Sequence, residues 1–89
     1  MTRYTYAVLL TPDPDAGGFT VTVPEIPAIV TEGDDEPHAL AMAREAIALY
    51  LGYVAERGEP LPVERAAPRL ATVEVEVDVG IVVGERVGA

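Results

Sequence analysis

The heptapeptide Gly17-Gly18-Phe19-Thr20-Val21-Thr22-Val23 reads as a strand entered through a tight turn. Phe19, Val21 and Val23 alternate with Thr20 and Thr22, which puts the apolar side chains on one face. The glycine pair closes the stretch Thr11-Pro12-Asp13-Pro14-Asp15-Ala16-Gly17-Gly18, rich in the residues that form turns. Upstream, Tyr4-Thr5-Tyr6-Ala7-Val8-Leu9-Leu10 is a second strand, with Tyr4, Tyr6, Val8 and Leu10 on one face. Strand, Gly-rich loop and strand make a β-hairpin with a long acidic tip.

Downstream, Pro24-Glu25-Ile26-Pro27 forbids a regular central strand and reads as a stiff corner. Ala28-Ile29-Val30-Thr31-Glu32 is a short third strand closed by Gly33. Asp34 or Asp35 can N-cap a helix, with Glu36 favouring its positive end and Pro37 tolerated in its first turn. Leu40, Ala43, Ile47, Tyr50, Leu51 and Val54 recur at helical spacing as one buried stripe. Gly58 is a natural C-terminal stop, followed by Pro60 and Pro62. Gly52, inside the helix, costs about 1 kcal/mol relative to Ala, and either permits a close contact or is simply tolerated. After a Pro-punctuated linker over residues 59–69, Val73-Glu74-Val75-Glu76-Val77-Asp78-Val79 alternates valines with carboxylates and reads as a further strand. Gly80 interrupts it, and residues 80–89 read as a short extra strand or a tail.

The expected fold class is therefore α+β, in the order β-β-β-α-β. A three-stranded antiparallel sheet carries one helix on a face, and a C-terminal strand joins an edge. With 89 residues the chain is expected to form one domain, over residues 1–79. A four-stranded sheet has two edges and this core is small, so a homodimer or homotetramer is expected.

Composition narrows the function. The net charge is -9, and all 6 basic residues are Arg. Such a chain repels phosphate, so direct binding of nucleic acid is disfavoured and a basic protein surface is the favoured partner. Cysteine is absent and His38 is the one histidine, which removes thiolate chemistry, Cys-ligated zinc and any multi-His metal site within one chain. No apolar run approaches the ~20 residues of a membrane span, and a cytoplasmic protein without membrane partners is expected. No Ser is present and Thr has no evident His–Asp partner, so nucleophilic catalysis has no apparatus. Gly17-Gly18 precedes no helix and cradles no phosphate. No enzyme activity and no cofactor are expected.

The acidic residues carry what remains. Asp13 and Asp15 read more simply as turn residues than as Ca²⁺ or Mg²⁺ ligands. Asp34, Asp35 and Glu36 beside His38 read as a helix cap with solvated first-turn acids. Glu74, Glu76 and Asp78 form a one-sided row, either the solvent face of an amphipathic strand or part of an interface for a basic partner. Glu25 and Glu32 flank the third strand and extend such a surface. Tyr50 belongs to the core by default, whereas Tyr53 is a candidate interface aromatic.

Six of these segments, in order, resemble the HicB-like antitoxin family. Asp15-Ala16-Gly17-Gly18-Phe19-Thr20-Val21 is similar to its glycine hairpin, and Val23-Pro24-Glu25-Ile26-Pro27 to its proline corner. Thr31-Glu32-Gly33-Asp34-Asp35 is similar to its helix entry, and Ala43-Arg44-Glu45-Ala46-Ile47 to its helix. Gly58-Glu59-Pro60-Leu61-Pro62 follows, and Tyr6-Ala7-Val8 opens the series. Gly17, Gly18, Pro24, Pro27, Gly33, Asp35 and Gly58 are thus structural positions. Ala28 and Ile29 depart from the family's usual Gly and Cys.

The resemblance implies a partial RNase-H-like fold without nuclease activity. It also implies a partner, a small basic HicA-like toxin that cleaves mRNA and whose catalytic face the antitoxin covers. Glu25, Glu32, Glu74, Glu76 and Asp78 are the residues expected to meet that toxin. Many such antitoxins add a DNA-binding domain; residues 80–89 leave no room for one, and none is expected. The alternative is a solitary homo-oligomeric structural or ligand-binding module whose toxin partner is absent.

Overall fold

A computed structural model describes residues 3–78 of the chain. Three strands, β1 (Leu9–Pro12), β2 (Phe19–Thr22) and β3 (Val30–Gly33), precede one helix, α1 (Glu36–Glu56). The sheet order is β1-β2-β3 and both pairings are antiparallel. The α+β class and the helix-on-sheet arrangement are as the sequence predicts.

The first strand lies later than its alternation suggests. Residues 4–8 form no ladder, because the register places Leu9 opposite Thr22. Their would-be partners, from Val23 onward, are taken up by turns. Ile26 N–H donates to Val23 O at 2.9 Å, and Ile29 N–H to Ile26 O at 3.0 Å. Pro24 and Pro27 each occupy the second position of such a turn, where their fixed φ is already correct. The double turn brings every third residue inward, so Val23, Ile26 and Ile29 are buried together. It also consumes Ala28 and Ile29, and β3 starts only at Val30. Pro12 ends β1 on the sheet edge, where a missing N–H costs no ladder bond.

The core has two parts. Val21, Ala39 and Ala43 are buried with Val8, Leu10 and Phe19 against them. Val23, Ile26 and Ile29 meet Tyr6, Ala46, Ile47, Tyr50 and Leu51. Ala39, absent from the stripe read in the sequence, is fully buried because α1 lies on β3 at its first turn. Gly33 makes that approach possible: a Cβ there would sit 2.5 Å from Ala39 Cα and 2.9 Å from the carbonyl carbon of His38.

Both helix ends are capped as read. The Asp35 carboxylate accepts from His38 N–H at 2.9 Å, which selects Asp35 over Asp34 as N-cap. At the other end Gly58 has φ 74°, its N–H donates to Ala55 O, and Glu59 N–H donates to Val54 O. That is a Schellman closure, satisfying carbonyls that the helix leaves open. Nothing lies within 4 Å of a Cβ built on Gly52, so that glycine permits no close contact.

The expected C-terminal strand is not seen among the described residues. Residues 71–78 belong to no strand, and Val73, Val75 and Val77 are 87%, 79% and 61% exposed. Alternation specifies a face, but a strand also needs a neighbour for its backbone groups, and these residues have none here. Val79 and the expected extra strand or tail over 80–89 lie outside the described residues.

Candidate functional site

The hairpin tip and the start of α1 fall at the same end of the domain, because Phe19 pairs with both Pro12 and Gly33. At the tip, Asp13 N–H donates to Gly18 O at 3.0 Å and Gly17 N–H to Asp13 O at 2.9 Å. The Asp13 carboxylate accepts from the N–H groups of Asp15 and Ala16, at 3.0 and 3.1 Å. Those two bonds stabilise its charged form and hold its pKa below the ordinary 3.8, that to Ala16 contributing most. Gly17 and Gly18 have φ of 80° and 78°, which L side chains adopt only with strain. A Cβ on Gly18 would also come within 2.5 Å of Gly33 O, so the base of the tip packs closely against the end of β3, just before α1.

The result is a shallow concavity lined by Asp13, Glu32, Asp34, His38, Thr20 and Met42 among others. Its carboxylates come from two separate stretches, the hairpin tip and the segment Glu32-Gly33-Asp34, and its one basic group is His38. His38 Nδ1 accepts from Asp34 N–H at 3.0 Å, which fixes the ring over the helix start. Asp15, Asp35 and Glu36 stand exposed at the same end. The geometry suits a cationic surface and offers no nucleophile–base pair. Among the described residues no three His, Asp or Glu side chains converge as a metal cage.

Among the described residues, nothing covers the sheet face away from α1. Val21 and Phe19 point to the helix, so Thr20 and Thr22 point away, and cross-strand pairing extends each into a row. One row is Leu9, Thr22 and Val30; the next is Thr11, Thr20 and Glu32. Val30 is 65% exposed and Leu9 43% exposed. Glu32 thus links an apolar-and-threonine sheet face to the acidic end.

The five acids singled out in the sequence lie on three different parts of the described chain. Glu25 is partly buried and paired with Arg65 at 3.0 Å, which straps the linker to the domain. Ala7 N–H donates to Glu64 Oε1 at 3.1 Å, and Tyr6 Oη–H donates to Pro62 O, in the same strap. Burial, then the nearby Tyr4, Glu25 and Glu64, pushes the Tyr6 phenol above its ordinary pKa of 10.0. Glu32 lies exposed on β3, and Glu74, Glu76 and Asp78 lie on the exposed segment beyond the linker. Tyr53 is exposed, under the Arg57 guanidinium at 5.4 Å. Asp13, read in the sequence as a turn residue, and Asp34, the cap candidate that gives way to Asp35, are the additions. Asp13 keeps its turn role, and the antiparallel order β1-β2-β3 brings it beside Glu32, whereas Asp34 follows Glu32 by two positions in the chain.

Among the described residues no helix is long and apolar enough to cross a membrane. No solved structure matches the chain. A curated relative, the UPF0150 protein Ta0767 of Thermoplasma acidophilum, is 34% identical over 61 residues, covering 68% of this chain and 87% of its own. The family model described as the HicB-like antitoxin of bacterial toxin–antitoxin systems matches residues 6–83, a span that holds the glycine hairpin, the proline double turn and the capped helix. By that match and that relative, the chain belongs to the HicB-like antitoxin family.

Proposed function

We propose that the chain is an antitoxin that binds and masks a small basic toxin of the HicA kind, an mRNA-cleaving enzyme, and does no chemistry itself. The carrying observation is the acidic end, where Asp13, Glu32 and Asp34 line one concavity with Asp15, Asp35 and Glu36 exposed nearby. A surface that must hold RNA phosphates is cationic, and such an end competes with RNA for it. The uncovered face, with Leu9, Val30 and three threonines, adds an apolar seat beside the charge. Masking is steric and electrostatic. On this reading the core is a partial RNase-H-like fold without nuclease function, acting in the cytoplasm.

The test begins with the tagged chain purified from its own host and weighed by native mass spectrometry. One adduct with a small basic protein that cleaves RNA is expected, with binding that weakens as salt rises. The double reversal Glu32→Lys/Asp34→Lys should weaken that complex at least tenfold while the helical circular dichroism stays unchanged. A homo-oligomer with no adduct, under conditions that keep weak complexes, overturns the antitoxin reading. An adduct indifferent to the reversal overturns the acidic-end mechanism.

A further inference from the structure

Among the described residues, two complementary surfaces are left without partners. The first is a groove beside β1. Helix α1 packs chiefly over β3 and then β2, so the β1 side of the sheet is poorly roofed. An open cleft of about 770 Å³ lies there, between residues 3–8 and α1, lined mainly by Tyr4, Tyr6, Val8, Ala43, Ile47 and Leu51. Arg3 and Arg44 also line it, and neither forms an ion pair among the described residues. β1 is an edge strand, so its outer backbone groups are open to a further strand.

The second surface is the segment after the linker. Val73, Val75 and Val77 share one face, and Glu74, Glu76 and Asp78 the other, with no ion pair among the described residues. It has the period, the β-branched side chains and the charge that the groove lacks. Valines match an apolar cleft, carboxylates match Arg3 and Arg44, and an unpaired segment with strand-like alternation matches an unpaired edge.

We infer that this segment docks in the β1 groove of a second copy of the chain, giving a two-fold dimer by reciprocal strand exchange. The strap argues for a neighbour over the strand's own domain. Tyr6, Ala7 and Glu25 hold Pro62, Glu64 and Arg65, and every residue from 66 to 78 is exposed. The segment is therefore presented outward. A two-fold axis makes each chain both donor and acceptor and covers both β1 edges at once.

The absence of native cysteine makes a clean test. Ala48→Cys, on the groove wall, and Val75→Cys, on the strand, are made in separate chains and co-expressed, then treated with a short bismaleimide. The expected product is a covalent pair of chains linked between positions 48 and 75, with light scattering giving twice the chain mass for the unmodified protein. Adding Val75→Asp to the Ala48→Cys chain and to a wild-type background should lower the dimer fraction at least tenfold. Val75 is exposed in the single chain, so the helical signal should persist. A link within one chain carrying both cysteines, with none between chains, overturns the inference, as does a monomer without any link. No toxin enters these measurements, so their outcome is independent of the proposed function.

Discussion

Replacing glycine by alanine at two positions should change stability in opposite directions. At Gly33 the new methyl would lie 2.5 Å from Ala39 Cα and 2.9 Å from the carbonyl carbon of His38. Carbon atoms rest at about 3.5–4.0 Å, so α1 must retreat from β3 by about 1 Å. That retreat opens the packing of Val21, Ala39 and Ala43, all at most 2% exposed. Overpacking of this kind costs about 1–3 kcal/mol, and backbone cannot swing aside as a side chain can, so about 3 kcal/mol is expected. At Gly52 nothing lies within 4 Å of the new Cβ, and the helix gains about 1 kcal/mol from alanine's propensity. The assay is urea unfolding followed by circular dichroism, at one fixed protein concentration because association shifts apparent stability. With a slope of about 1.2 kcal/mol per molar, G33A should lower the midpoint by roughly 2–3 M and G52A raise it by roughly 0.8 M. An unchanged midpoint for G33A would refute the close seating of the helix on β3. A destabilised G52A would refute the open space around that residue.

Three further perturbations follow from the same contacts. Asp35→Ala removes the acceptor for His38 N–H and should cost about 1 kcal/mol in the same unfolding assay. The Tyr6 phenol has a folded pKa above its ordinary 10.0, so its contribution is complete below about pH 10 and is lost as pH rises through the raised value. Stability measured from pH 9 to 12 should fall more steeply in wild type than in Tyr6→Phe, which also loses the bond to Pro62 O and about 1 kcal/mol at neutral pH. Glu25→Gln should leave partner binding within twofold of wild type, since that carboxylate faces Arg65, whereas Glu32→Gln should weaken it; the comparison is a binding titration at low salt.

Local chemistry explains why much of this fold is legible without coordinates. Gly17-Gly18, Pro24, Pro27, Asp35 and Gly58 each impose a backbone conformation on their immediate neighbours, and the hairpin, double turn and both helix caps appear where those residues stand. Strand bounds are less legible, because a ladder exists only while both partners are extended. The Pro24 and Pro27 turns withdraw the partners of residues 4–8, something the alternation in Tyr4-Thr5-Tyr6-Ala7-Val8 does not report.

The candidate site divides in the same way. The charge of -9, the absence of cysteine and the family resemblance follow from the residues alone, since composition and short-range order need no fold. Tertiary structure decides which acids are free and which stand together. Glu25 is spent on Arg65, forty positions away, while Asp13 meets Glu32 and Asp34 because antiparallel pairing returns the chain to one end of the sheet. Burial and proximity are properties of pairs distant in the chain. No local reading of carboxylate spacing contains them.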